Sequence, residues 1–257
     1  MPNTFIGEKV EKLVNKWKKG EIAWLIFAFL VVLATIVYKH IMVKEVGFYS
    51  IVSDVSALLG VIYVILIAKQ DRKAYLFGMG NVFLYALAVN KKGLYISTLY
   101  NLLYSLPILI YGYIHWGKLE KNNNAAVKEF SLRERILGIL LMIATTIGFA
   151  VFSKQILGGT NVLADSVVSV CVCVAMFLMT QKYVEQWMLF IISNFMGIIL
   201  FFPKSFEDIY NIDLFAMWTI YFINSIYGYI IWKKAIVKEE NIVAGDEREW
   251  KIWKRSW

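Results

Sequence analysis

A six-residue phrase occurs twice in this chain, and each copy closes a block of three apolar segments. Residues 111–116 read Tyr-Gly-Tyr-Ile-His-Trp and residues 227–232 read Tyr-Gly-Tyr-Ile-Ile-Trp, so five of the six positions agree. The preceding segments approach the roughly 20 helical residues that cross a bilayer core of about 30 Å. Two similar apolar blocks therefore predict an all-α integral membrane protein with an internal repeat.

The composition supports helices that span a membrane. Hydrophobic residues make up 59% of the 257-residue chain, against roughly 45–50% in soluble domains. The apolar runs lack the alternation of barrel strands. We predict eight transmembrane helices, at 21–38, 48–68, 74–89, 94–115, 136–152, 162–180, 186–202 and 214–232.

The basic residues predict the orientation of these helices. Of the 27 Lys and Arg residues, 21 lie in the N-terminal segment, in the loops after the second, fourth and sixth helices, and in the C-terminal tail. Because such an excess marks the cytoplasmic side, we expect a multi-pass membrane protein with both termini inside. The net charge of +8 is explained by this bias and by anionic lipid, so no nucleic-acid partner is expected.

The segments outside the predicted transmembrane helices are more polar and more charged than the helices. Residues 1–20 carry apolar residues at helical spacing among lysines, which predicts an amphipathic segment on the inner membrane surface. We interpret residues 117–135 as a cytoplasmic linker and residues 233–257 as a basic, tryptophan-rich cytoplasmic tail that anchors the chain.

The repeat predicts two parallel three-helix units. Asp54 precedes Gln70 by 16 residues, as Asp165 precedes Gln181. We define residues 48–116 as the first unit and residues 162–232 as the second unit. A linking helix at 136–152 returns the chain to the outside, which gives a SWEET-like 3+1+3 repeat preceded by an extra helix at 21–38; repeats of this kind are typical of transporters.

Polar residues inside the apolar helices predict a binding site between the units. Asparagines share helix faces with aromatic residues, because residues three, four or seven apart lie on one face. Converged on the repeat axis, these faces would form an aromatic box with amide groups, suited to a heteroaromatic glycoside or a delocalised cation. The candidate residues are Asn81, Asn101, Tyr104, Trp187, Phe190, Asn194, Trp218, Tyr221 and Asn224.

Each of these residues also has a structural interpretation. Intramembrane asparagines commonly join helices, and Trp187, near a helix end, could belong to an interfacial aromatic belt. Asp54 and Asp165 could relay protons or form a gate, or they could cap helix starts. The sequence shows no metal-ligand spacing, phosphate-binding loop or Gly-x-Ser-x-Gly motif, so we expect neither an enzyme nor a cofactor.

These residues resemble the PnuC family of bacterial nicotinamide riboside transporters, over about residues 48–234. Glu185, Trp187 and Asn194 have the spacing of the family pattern Glu-x-Trp-x-x-Trp-x-x-x-Asn, although Phe190 replaces its second tryptophan. The Tyr-Gly-Tyr-Ile phrase with a following tryptophan closes both units. In the first unit, the matching residues are Gly60, Asn81, Tyr85, Tyr100, Asn101, Tyr104 and Pro107.

The resemblance implies a function and an assembly. It implies a homotrimer in the bacterial inner membrane that takes up nicotinamide riboside for NAD synthesis by facilitated diffusion. It also implies a cytosolic riboside kinase that traps the substrate without direct contact. Gln181, at the inner end of its helix, joins the candidate binding residues, and Glu185 joins the two aspartates as a gating or coupling candidate. The alternatives are another flat vitamin such as thiamine, a proton-coupled carrier, or a membrane receptor or scaffold that signals through its tails.

Overall fold

The secondary-structure elements of the protein, in a computed structural model, are helices. The structure describes residues 17–42, 47–91, 95–121, 126–152, 154–155, 162–202 and 212–255. The predicted all-α class is confirmed. The helices are α1 (Lys19–Met42), α2 (Phe48–Ala68), α3 (Ala74–Lys91), α4 (Tyr95–Tyr100), a π-turn (Asn101–Ser105), α5 (Leu106–Lys121), α6 (Leu132–Phe152), α7 (Val162–Thr180), α8 (Gln186–Phe201) and α9 (Ile212–Arg255).

Three of these helices are long and apolar enough to cross a bilayer. They are Lys19–Met42, Phe48–Ala68 and Leu132–Phe152. Shorter apolar helices follow at Ala74–Ala88, Ser166–Thr180 and Gln186–Ile199. The count of eight spans and the 3+1+3 repeat go beyond this finding and stay predictions.

Several helices extend beyond their predicted ends because charged residues continue them. The predicted bounds of α2 and α7 match the structure at both ends, but α9 runs on to Arg255 instead of ending at 232. Likewise, α5 continues to Lys121 and α6 begins at Leu132, which shortens the predicted linker. Lys, Glu and Arg are good helix formers. These helices therefore continue past the point where the hydrophobic run ends, which is where the sequence analysis had ended them. Residues 1–16 of the predicted amphipathic segment lie outside the described residues.

The π-turn interrupts a helix that the sequence predicted to be regular. The backbone N–H of Leu106 donates to the Asn101 carbonyl, five residues back. Pro107 comes next and has no N–H to give to the turn before it, so the regular ladder is already broken there. Such π-turns are often found at functional sites.

The helices pack so that each unit contacts the other through its outermost elements. Within the units, α2 packs on α3 and α8 packs on both α7 and α9. Between the units, α2 contacts α9 and α5 contacts α7. The space between these two contact pairs is where the predicted polar faces meet.

Helix α1 is attached to both units by buried polar contacts. Lys69 Nζ donates to Glu21 Oε2 (2.9 Å), and Tyr227 Oη donates to Glu21 Oε1 (2.6 Å). At the other end of α1, Lys39 and His40 pair with the buried Asp54 carboxylate. Because breaking a buried ion pair is costly, α1 is fixed against α2 and α9.

Residues 126–131, which we call the linker strap, lie on the turn between α7 and α8. Lys128 N–H donates to the Lys182 carbonyl and Val184 N–H donates to the Lys128 carbonyl, both at 2.9 Å. The Phe130 and Tyr183 rings stack with centroids 4.3 Å apart. Part of the predicted linker is therefore docked on the second unit.

Candidate functional site

A cavity of about 240 Å³ lies between the two units. It is bounded by residues of α2, α3, α4, the π-turn, α7, α8 and α9, and none of the described residues that line it is charged. The volume is slightly below the range of roughly 300–1,000 Å³ typical of ligand pockets, so the cavity suits a small solute.

All four predicted asparagines line this cavity. Asn81 Nδ2 donates to the Ser56 carbonyl (2.7 Å) and lies 3.1 Å from Ser56 Oγ, which itself donates to the Asn81 carbonyl (2.9 Å). This exchange fixes the amide of α3 against α2. Asn101 begins the π-turn and is buried, 8% exposed.

The asparagines of the second unit are also held in place. Asn194 Nδ2 donates to Ser225 Oγ (2.9 Å), and Asn224 Nδ2 donates to the Val64 carbonyl across the unit boundary (2.8 Å). Asn224 Oδ1 is buried and has no partner among the described residues. Because a buried carbonyl oxygen without a partner is costly, a hydrogen bond from a solute to this oxygen would be favourable once neighbouring side chains move aside.

Aromatic rings of the second unit form one wall of the cavity. Trp187 and Phe190 have centroids 6.2 Å apart, and Trp218 meets Tyr221 edge-on at 6.4 Å. The indole Nε1 of Trp187 is buried without a partner in the described part of the chain. Like Asn224 Oδ1, this atom is enclosed in the wall of the cavity.

Two glycines allow side chains to approach the backbone at this wall. A Cβ at Gly60 would lie 2.2 Å from Tyr221 Oη and 2.9 Å from Asn81 Nδ2. A Cβ at Gly197 would lie 2.4 Å from the Trp218 ring. Gly60 therefore lets the second unit place Tyr221 against the first unit.

Two candidate binding residues do not line the cavity. Tyr104 donates its hydroxyl hydrogen to the Cys173 carbonyl, whereas Asn101 and Ser105 of the same π-turn line the cavity. Gln181 donates to Tyr111 Oη (3.1 Å) at the end of α7. The sequence analysis assumed regular helical spacing through residue 104 and had only the register of the repeat as support for Gln181.

The acidic candidates have different surroundings from those expected. Asp54 neither caps α2 nor lines the cavity; it pairs with Lys39 and His40 of α1. Glu185 is buried and accepts hydrogen bonds from Phe130 N–H and Arg135 Nε, both at 3.0 Å, so it fixes the linker strap. Asp165 belongs to α7, and its side chain lies outside what the structure describes.

Comparison with known proteins identifies the relatives of this chain. Residues 50–234 match the family model described as nicotinamide mononucleotide transporter. The chain belongs to this family. The matched region includes every residue that lines the cavity.

The family assignment agrees with two curated relatives and one solved structure. Nicotinamide riboside transporter PnuC of Neisseria mucosa is 28% identical, covering 88% of this chain and 85% of the relative. PnuC of Haemophilus influenzae is 27% identical, covering 93% and 100%. A crystal structure of the vitamin B3 transporter PnuC superposes with a TM-score of 0.70 at 26% identity, covering 90% of this chain and 97% of the other. The prediction of a membrane transporter, and not an enzyme, is confirmed.

The sequence analysis missed lining residues on the first helix of each unit. On α2, Ser53, Ser56, Tyr63 and Ile67 line the cavity together with Ala57. Their spacings of three, four or seven residues place them on one face, and the small and polar residues on that face were a usable signal. Met176 and Met179 of α7 carried no comparable signal, because methionine is ordinary core filler.

Proposed function

We propose that this protein carries nicotinamide riboside across the bacterial inner membrane by facilitated diffusion. The observation that carries the proposal is the uncharged cavity of amides and aromatic rings in a chain whose relatives are named as nicotinamide riboside transporters. The substrate has a cationic pyridine ring, a carboxamide and ribose hydroxyls. Aromatic faces attract such a ring, and amides bond the other groups.

The cavity favours the riboside over its mononucleotide. A phosphate would bring negative charge into a space where none of the described lining residues is charged. Burying an anion without a cationic partner is strongly unfavourable, whereas the aromatic faces of the cavity attract the cationic pyridine ring. The uncharged riboside sugar needs only hydrogen-bonding groups, which the cavity supplies.

Individual roles follow from the groups that have no partner. Trp187 and Phe190 stack on the pyridine ring. When the wall moves to admit the substrate, Trp187 Nε1 donates to it and Asn224 Oδ1 accepts from it, since both atoms are enclosed without a partner among the described residues. A carboxamide offers both an acceptor and a donor, so it matches this pair. The other cavity-lining amides and hydroxyls, on Asn81, Asn101, Asn194 and Tyr221, bind the ribose.

The proposed topology is eight transmembrane helices in a SWEET-like 3+1+3 parallel repeat with both termini cytoplasmic. Its support is the distribution of basic residues and the reciprocal contacts of α2 with α9 and α5 with α7. The division into units at 48–116 and 162–232, with the helix at 136–152 between them, is part of the same proposal. We also propose a homotrimer, and a cytosolic riboside kinase that traps the substrate.

Binding and flux measurements test this function. Calorimetry measures the binding of nicotinamide riboside, nicotinamide mononucleotide and thiamine to the purified protein. The protein is then reconstituted into liposomes loaded with labelled riboside, and the flux is measured. We expect binding of the riboside, at least tenfold weaker binding of the mononucleotide and thiamine, and equilibration without ATP or an ion gradient. Preference for thiamine or for the mononucleotide would reject the proposed substrate.

A further inference from the structure

We propose that Trp116 and Trp232, the tryptophans that end the two repeated phrases, are positioning residues that close the cavity at the end where α2 and α7 terminate. The proposal rests on the proposed transport function. In the proposed topology this end faces the cytoplasm, so the two indoles would have to separate before a solute could leave the cavity inward.

The two tryptophans make reciprocal bonds between the units. Trp232 Nε1 donates to the carbonyl of Ala68, the last residue of α2, at 3.1 Å. Trp116 Nε1 donates to the carbonyl of Thr180, the last residue of α7, also at 3.1 Å, and shares this N–H with the Met179 carbonyl at 3.3 Å. Carbonyls at a helix C-terminus lack intrahelical partners. The last helix of each unit therefore supplies a hydrogen bond to a terminal carbonyl on the first helix of the other unit.

Both indoles belong to a buried layer of four rings. Tyr75 meets Trp116 edge-on at 5.0 Å, Trp187 meets Trp232 edge-on at 5.6 Å, and the centroids of Trp116 and Trp232 are 6.3 Å apart. Each of the four is at most 2% exposed. We call these residues the four-ring layer.

The repeated phrase supplies the geometry of this layer. A Cβ at Gly112 would lie 2.2 Å from the Tyr75 ring, and a Cβ at Gly228 would lie 2.6 Å from the Trp187 ring. The tryptophan four residues after each glycine lies on the same helix face. The glycine thus leaves room for one aromatic ring against the helix backbone. The tryptophan packs on that ring and donates a hydrogen bond to the opposite unit.

The four-ring layer directly adjoins the cavity. Ile67 and Met179 line the cavity. Ile67 immediately precedes Ala68, which accepts from Trp232, and the carbonyl of Met179 itself accepts from Trp116. Trp187 belongs both to the cavity wall and to the layer. A solute that stacks on Trp187 therefore contacts a ring that packs directly on Trp232.

Side-specific cysteine labelling tests the closure. We would place one cysteine in the cavity as Val172→Cys, after replacing the native thiols by Cys171→Ala and Cys173→Ser. A membrane-impermeant maleimide is applied to inside-out and to right-side-out membrane vesicles without substrate. Trp116→Phe and Trp232→Phe keep a ring and remove the N–H. Each is expected to raise labelling from the cytoplasmic side about fivefold, the population shift that one typical hydrogen bond supports.

The outcomes separate closure from general loosening. Trp24→Phe is the matched control, because the buried Trp24 indole N–H has no partner in the described part of the chain. Unchanged cytoplasmic labelling, or an equal increase from both sides, would overturn the proposal. The readout needs no riboside, so failure of the parent protein to bind riboside would reject the proposed substrate and leave this test intact. If one variant fails to fold, the other carries the same test.

Discussion

At the scale of single residues, the cavity depends on a few groups in the second unit. Trp187 and Asn194 both line it, and Asn194 is oriented by Ser225. We predict that Trp187→Ala and Asn194→Ala each weaken riboside binding at least tenfold, about 1.4 kcal/mol. Calorimetry on folded, monodisperse protein measures this, and wild-type affinity in both variants would remove these residues from the site.

Gly60 gives a second test at this scale. Gly60→Ala would place a Cβ 2.2 Å from Tyr221 Oη and 2.9 Å from Asn81 Nδ2. Two cavity-lining side chains would have to move, so we expect riboside binding to weaken at least fivefold, about 1 kcal/mol. Gly138→Ala is the matched control, since a Cβ there meets nothing within 4 Å. Equal affinity in both variants would contradict the prediction.

The asparagines show how far residue-level reasoning reaches. Helical spacing and the rarity of amides in apolar segments were enough to select Asn81, Asn101, Asn194 and Asn224, which all line the cavity; their binding of substrate stays a prediction. Tyr104 does not line the cavity, and the π-turn at this point changes the spacing on which its selection relied. The paired environment of Asp54 could not be read from sequence, because its partners lie on a helix outside the repeat.

At the scale of elements, the linker strap is held to the second unit by charge. Lys233 Nζ donates to both oxygens of Glu129 at 2.7 Å, and Arg135 also pairs with Glu129. The bond from Lys233, with support from Arg135, lowers the pKa of Glu129. A lowered pKa means that this stabilisation is present above the unfolded-state pKa of about 4.3 and is lost as the pH falls through the folded value.

We predict that Glu129→Gln loosens the strap. Because the pair is partly exposed, amide exchange of Lys128 and Val184 near neutral pH should rise only about two- to fivefold, as expected for such pairs. Hydrogen–deuterium exchange with mass spectrometry measures it. Glu120→Gln, which removes the partner of Arg72, is the control. Wild type and Glu129→Gln should converge at acidic pH, and a difference that persists there would refute the electrostatic explanation.

Elements defined by apolar length were the most predictable. The bounds of α2 and α7 follow from hydrophobic runs that begin and end sharply. The end of α9 could not be found in this way, because its final residues are polar and still helix-forming. The π-turn had one sequence signal, Pro107, which breaks the ladder but does not specify how the backbone compensates.

At the scale of the whole molecule, the placement of Asp54 bears on energy coupling. Its carboxylate is buried against Lys39 and His40 and does not line the cavity. We predict that Asp54→Asn lowers the melting temperature by several degrees, since it breaks a buried ion pair, but leaves riboside flux independent of a proton gradient. Thermal unfolding in detergent and liposome flux with and without a protonophore measure the two effects.

The control for this variant is Asp71→Asn, in the loop after α2. Asp71 Oδ1 accepts an exposed hydrogen bond from Lys73 N–H, so its loss should change the melting temperature much less. Flux that requires a proton gradient in the wild type and loses this requirement in Asp54→Asn would overturn the uniport proposal. It would then identify Asp54 as the coupling group.

The length of α9 has a mechanical consequence. At 1.5 Å per residue, its 44 residues extend about 66 Å, roughly twice the thickness of the hydrocarbon core. From Trp232 to Arg255 the rod measures about 34 Å, so a tilt of about 10° pivoting at Trp232 would displace its far end by about 6 Å. A spin label near that terminus would therefore amplify small rocking movements of the second unit into readily measured distances.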